Sequence, residues 1–217
     1  MQTILDIWDF LVSGGIWMIP IGLVGVLAVV ISIERFITIW VRSSVNKEAF
    51  VAQLTTLIVS GNLQQAIKFV TGQKQTPLAA VVKAGLMKVN KSDAEVQAAL
   101  DEATLRELPK IEKRTGYLAM IGNVAMLFGL LGTITGLIHC FASVSQPGVD
   151  PQLKSQLLAK GISEAMHCTW FGLLVAISAL LSFSWLNGKT QHLIDDINET
   201  AVAVLNLVVA NRDKLKV

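Results

Sequence analysis

The sequence predicts an all-α integral membrane protein with three transmembrane helices. Of its 217 residues, 53% are hydrophobic and 16% are charged, with a mean hydropathy of +0.57. A soluble domain carries about a quarter charged residues. The apolar residues fall in three blocks, each at least as long as the roughly 20 residues needed to cross a bilayer. Aromatic and charged residues of the interfacial kind mark the block ends: Trp17 and Trp40, Tyr117, and Trp185 with Lys189.

The net charge of +2 is small, and nothing in its distribution points to nucleic acid. The two cysteines, Cys140 and Cys168, both lie in apolar runs and read as small hydrophobes rather than a disulfide framework. Asp6 and Asp9 precede the first span, and no Lys or Arg occurs before Arg35, so the start does not read as a cleavable signal peptide.

Residues 1–13 place Ile4, Ile7, Trp8, Leu11 and Val12 on one helical face, the pattern of an amphipathic helix at a membrane interface. The first transmembrane helix is expected over 14–41, with Pro20 in its first turns, where a missing N–H does little harm. Glu34 and Arg35 close it. Residues 42–115 form a polar helical region. Helices are expected over Lys47–Val59, Leu63–Val70 with Asn62 as N-cap, and Leu78 to about Val89 after a break at Pro77. Ser92-Asp93-Ala94-Glu95 has capping-box spacing, and the helix it starts runs toward the second span, with a bend or break expected at Pro109.

The second transmembrane helix is expected over 116–144. Gly129-Leu130-Leu131-Gly132-Thr133-Ile134-Thr135-Gly136 is its central feature. Ala125, Gly129, Gly132, Thr133 and Gly136 share one face. In lipid no hydrophobic force joins helices, so close backbone approach through small residues is what makes them pack. Residues 145–162 form a hairpin, with a helix start at Asp150-Pro151. The third transmembrane helix, 163–187, carries a matching stripe of Ala165, Cys168, Thr169, Gly172, Ala176 and Ala179. An amphipathic C-terminal helix, 188–217, follows, with Leu193, Ile197, Val204, Leu207 and Val208 on one face. Arg42, Lys47, Lys110, Lys113 and Arg114 all flank the polar region, so the positive-inside rule puts 42–115 and 188–217 in the cytoplasm and the N-terminus outside.

Glu164 is the first candidate for function. A carboxylate at the edge of a span is costly to desolvate, and such residues usually face a bundle interior or a water-filled path. An interfacial acid among headgroups is the structural alternative. Thr133 and Thr169 come next: hydroxyls in an apolar channel can relay protons, or simply bond back along their own helices. His139-Cys140 and His167-Cys168 suggest a shared metal site only weakly, because adjacent helical residues point about 100° apart; a single titrating His lining the lumen is the better alternative. No metal and no cofactor is therefore expected. No phosphate-binding loop, nucleophile elbow or zinc-hydrolase motif occurs, so the chain is not expected to be an enzyme.

Leu108-Pro109-Lys110-Ile111-Glu112, Leu118 to Ala125, Gly129 to Gly136, and Gly161-Ile162-Ser163-Glu164-Ala165 with Thr169 and Gly172 resemble the MotA/TolQ/ExbB proton-channel family, closest to its ExbB/TolQ branch. The resemblance implies a homopentamer in a bacterial inner membrane, with the second and third spans around a central lumen. The 1–13 helix and the 145–162 hairpin would then be periplasmic. It implies two copies of an ExbD/TolR-like single-span partner in that lumen, each with an essential Asp, and admits a TonB/TolA-like periplasm-spanning protein as a further partner. Thr133, Glu164 and Thr169 match the family's lumen positions; Gly129, Gly132, Gly136, Gly172 and Ala176 are the packing positions. His139, Cys140, His167 and Cys168 depart from the family pattern. The expected function is conversion of proton motive force into mechanical work delivered to the periplasm or outer membrane. A non-conducting scaffold that anchors a periplasmic-reaching partner is the alternative.

Overall fold

In the computed structural model, the described residues are 14–42, 46–73, 76–146 and 150–215. All regular structure among them is helical: α1 (Met18–Arg42), α2 (Lys47–Val59), α3 (Leu63–Gly72), α4 (Pro77–Leu86), α5 (Asp93–Glu112), α6 (Thr115–Val144), α7 (Pro151–Ala210) and α8 (Arg212–Leu215). Three stretches, carried by α1, α6 and α7, are long and apolar enough to cross a membrane. The amphipathic helix expected over 1–13 lies outside the described residues, as do residues 147–149 of the hairpin turn.

Local chemistry sets several helix starts. Asn46 caps α2, its side-chain oxygen accepting from Glu48 N at 3.1 Å and Ala49 N at 3.3 Å. Ser92 and Glu95 form the expected capping box at the head of α5. Two expectations need correction. Asn62 precedes α3 but makes no capping bond; its amide points to Ser60 Oγ instead. Pro77 does not lie before the next helix but is its first residue, a position where its absent N–H is no loss, and Thr76 caps it by accepting from Ala79 N.

Pro109 does not break its helix either. α5 continues through it to Glu112, and the interruption falls at Arg114, which adopts a left-handed conformation (φ 68°). What ends α5 is a tertiary contact. Arg35, only 4% exposed, donates to the carbonyl oxygens of Ile111 (3.3 Å) and Lys113, two groups that a helix end leaves without intrahelical partners.

The chain divides into two units, with the boundaries inside α1 and α7 and between Lys113 and Arg114. The first unit holds the chain up to Glu34 and Arg114–Trp185. Its interior is thin: Ile21, Ala125 and Val175 are buried, with Val24, Phe128 and Phe171 packed around them. Leu23, Val26 and Val30 on α1, Leu127, Leu130 and Ile138 on α6, and Leu174, Ile177 and Leu181 on α7 are all outward-facing and exposed. Large apolar patches of this kind mark a surface made for lipid or for protein partners. Arg114 is paired with Glu34 at 2.8 Å at one end of this unit.

The second unit, Arg35–Lys113 with Leu186–Val217, has a conventional core. Phe50, Leu54 and Ile58 of α2, Ala66 and Val70 of α3, and Val81, Val82 and Leu86 of α4 pack with Val96 and Leu100 of α5 and Ile197, Val204 and Val208 of α7. At Gly61 (φ +76°) the turn between α2 and α3 needs a glycine, since a Cβ would meet the Lys214 carbonyl oxygen at 3.0 Å. Lys47 pairs with Asp196 and Glu199, which holds its ammonium above the usual lysine range, chiefly through the Glu199 hydrogen bond.

Candidate functional site

The glycines of α6 and α7 create the site by letting the two backbones touch. A Cβ built on Gly172 would lie 2.8 Å from the Ala125 carbonyl oxygen and 2.9 Å from Gly129 Cα. One built on Gly129 would lie 3.1 Å from the Cys168 carbonyl oxygen. Farther along, Gly136 faces Ala165 and Gly161 faces Cys140. Contact partners rise along α6 as they fall along α7, so the helices are antiparallel neighbours. Gly132 serves a second contact: its missing side chain leaves room for Cys168 and for Trp17 Cβ at 3.2 Å. Ala176 is buried, and its carbonyl oxygen stands 3.3 Å from where a Gly122 Cβ would be.

This approach brings Thr133 and Thr169 together. Their hydroxyls hydrogen-bond each other across the helix pair. Thr133 Oγ1 is also 3.0 Å from the Gly129 carbonyl oxygen and 3.4 Å from that of Ala165, and Thr169 Oγ1 is 3.2 Å from Gly129 O. Each hydroxyl has a single proton to donate. The pair therefore has several proton arrangements of similar geometry, which is what a relay requires. Thr135 lies off this contact and bonds back to Leu131 O at 2.9 Å.

Glu164 lies toward the hairpin end of α7 from Thr169. Its Oε1 stands 2.6 Å from the position a Cβ would take on Gly15, a residue with φ +74°. Gly15 belongs to the turn that leads into α1, where Met18 N donates to Gly15 O at 3.2 Å. Beside it Cys168 Sγ donates to Gly14 O at 2.7 Å. The carboxylate therefore lies close to the Gly15 backbone.

Glu164 also lines a cavity of about 450 Å³ bounded by the start of α1, by α6 and by α7. Thr135, His139 and Ser143 form its α6 wall and Lys160, Gly161 and Glu164 its α7 wall. The His-Cys pairs do not converge: His139, Cys140 and Cys168 border the cavity and His167 does not. Among the described residues no three His, Cys, Asp or Glu side chains are grouped as metal ligands. Thr133, Glu164 and Thr169 stand out in the sequence as polar groups in apolar runs. Gly15 and Lys160 do not, and the cavity wall shows there only as the recurrence of Thr135, His139 and Ser143 at intervals of four, the spacing of one helical face.

Three apolar helices, packed through glycine and carrying facing hydroxyls and a carboxylate, define a multi-pass membrane protein. The chain belongs to the MotA/TolQ/ExbB proton channel family, whose profile matches residues 73–199, more than half of its length. Among its relatives, the biopolymer transport protein ExbB-like 3 of Synechocystis is 33% identical over 169 residues, 78% of this chain and 79% of that one. The biopolymer transport protein ExbB homolog of Methanothermobacter thermautotrophicus is 25% identical over 90% of this chain and 67% of its own. The Tol-Pal system protein TolQ of Haemophilus influenzae is 33% identical over 45% of this chain and 42% of its own. The fold is similar to that in the solved structure of MotAB from C. jejuni, with a TM-score of 0.62 over 90% of this chain and 76% of that one at 17% identity.

Proposed function

We propose that the chain is an ExbB/TolQ-like proton-conducting subunit of a membrane motor. Five copies surround a central lumen in a bacterial inner membrane, and a single-span ExbD/TolR-like partner, in two copies, occupies that lumen. The N-terminus is periplasmic, and residues 42–115 and 188–217 are cytoplasmic extensions. Protons pass by way of Glu164, Thr169 and Thr133, and the work reaches the periplasm or outer membrane through a TonB/TolA-like protein. The subunit acts by protonation and displacement, without covalent catalysis or a cofactor.

The hydrogen-bonded Thr133–Thr169 pair is the observation that most supports this reading. Packing alone needs no facing hydroxyls, and the adjacent glycines already provide close approach. The exposed apolar faces of α1, α6 and α7 support an assembly in which they meet lipid or other subunits.

The test is to purify the tagged chain from its own membranes and weigh the intact complex by native mass spectrometry. The expected mass is five copies of the chain with two of a small single-span protein. Recovery only as a monomer without a membrane partner would overturn the assignment.

A further inference from the structure

The cavity beside Glu164 lies within one copy of the chain, between α1, α6 and α7, and its polar groups form a graded series. Gly136 of α6 is level with Ala165 of α7, and Cys140 is level with Gly161. His139 therefore lies between the levels of Glu164 and Lys160, about half a turn toward the hairpin from the carboxylate. Ser143 lies a turn farther out, and the Thr133–Thr169 pair lies on the opposite, inner side of Glu164. From the hairpin end inward the order is Ser143, His139, Glu164, then the threonine pair.

The volume is large for a dry packing defect. At about 30 Å³ per water, 450 Å³ holds on the order of ten waters, and the polar walls supply the partners they need. His139 is exposed and Glu164 half-buried. Among the described residues, the other titratable groups facing this space are Lys160 and the Cys140 and Cys168 thiols; the stretch Gly14–Trp17 brings none.

We propose that this cavity is the access vestibule through which protons reach Glu164 from the hairpin end, and that His139 is its relay. The inference rests on the proton-conducting reading above. An imidazole nitrogen of His139 takes a proton from vestibule water, a proton leaves the imidazole toward the Glu164 carboxylate by way of cavity water, and the histidine returns to its neutral form. The carboxylate then hands the proton inward to the threonine pair. Gly15 belongs to the device: its φ of +74° suits glycine, and a Cβ there would come within 2.6 Å of Glu164 Oε1 and make the carboxylate shift.

Proton flux is measured in proteoliposomes holding the chain co-purified with its partner subunit, across pH 5 to 8 on the hairpin side, where imidazoles ordinarily change charge. The expected result is that His139→Asn lowers flux about a hundredfold and flattens its pH profile, a loss at the low end of what a positioned acid–base group contributes. As a second measurement, Ser143→Cys in a Cys140→Ala, Cys168→Ala background reacts with a charged, membrane-impermeant thiol reagent, and flux falls as it does. Wild-type flux and pH profile in His139→Asn, with no effect of the reagent on Ser143→Cys, overturns the vestibule while leaving a Glu164-dependent channel intact. Absence of flux in the wild-type complex overturns the proton-conducting reading and the vestibule with it.

Discussion

The hydroxyls of Thr133 and Thr169 meet across the α6–α7 contact and share the Gly129 carbonyl oxygen as an acceptor. Each hydroxyl can donate its one proton either to that carbonyl or to the other hydroxyl, so the pair has more than one proton arrangement. Valine has nearly the shape of threonine but no proton to give. Thr133→Val and Thr169→Val are each expected to cost about 1 kcal/mol in stability, the net worth of one hydrogen bond. Proton flux should fall at least tenfold in either variant. The double variant should conduct no worse than the poorer single, because either substitution already breaks the relay. Detergent melting curves together with flux assays separate the two effects.

Gly172 and Gly129 face backbone, which cannot rotate away. Gly172→Ala should push α6 from α7 and destabilise the protein by roughly 1–3 kcal/mol, the usual cost of overpacking. Gly22 is the control. A Cβ there meets nothing within 4 Å, so Gly22→Ala should be neutral or stabilise α1 by about 0.5–1 kcal/mol. Thermal unfolding in one detergent compares them, and equal losses in both would contradict the packing account.

Arg35 closes the end of α5 with its guanidinium. Arg35→Met keeps much of the apolar stem but leaves the Ile111 and Lys113 carbonyls without this donor. A loss of about 1.5–3 kcal/mol is expected, the range for hydrogen bonds involving a charged group. Amide hydrogen exchange should quicken over residues 108–114 first. Arg35→Lys should recover only part, since one ammonium does not reproduce the guanidinium fork.

Lys47 bridges α2 to Asp196 and Glu199 on α7. Its folded pKa is raised, so its contribution is fully present below the ordinary lysine value of 10.5 and is lost as pH climbs above it through the raised value. All three groups are solvent-accessible, which limits the contribution to under about 1 kcal/mol and makes it salt-sensitive. Lys47→Met should leave stability at neutral pH and high salt nearly unchanged. Its deficit at low salt should shrink once the pH rises above the lysine range.

The spans, the small-residue stripes and the Ser92 capping box were legible because each depends on spacing along one helix. Glu164, Thr133 and Thr169 were legible as candidates because polar groups in apolar runs are conspicuous. What spacing could not show was what a residue touches across the fold. Arg35 looked like an interfacial charge and proves to cap a helix 76 residues away. Pro109 suggested a bend or a break, yet the helix continues through it and the interruption falls at Arg114, a non-glycine residue in a left-handed conformation that no local pattern announces. Asn62 had the right identity for a cap and the wrong side-chain direction.

Glu164 is the centre of the account. The decisive measurement is proton uptake by proteoliposomes carrying the chain with its partner subunit, driven by an imposed inside-negative potential worth about 2.3 kcal/mol per charge at 100 mV. Glu164→Gln preserves size and hydrogen bonding but cannot take up a proton as the carboxylate does. Assembly should be retained while uptake falls to the leak rate of empty liposomes. A Glu164→Gln complex that takes up protons at the wild-type rate would contradict the central claim.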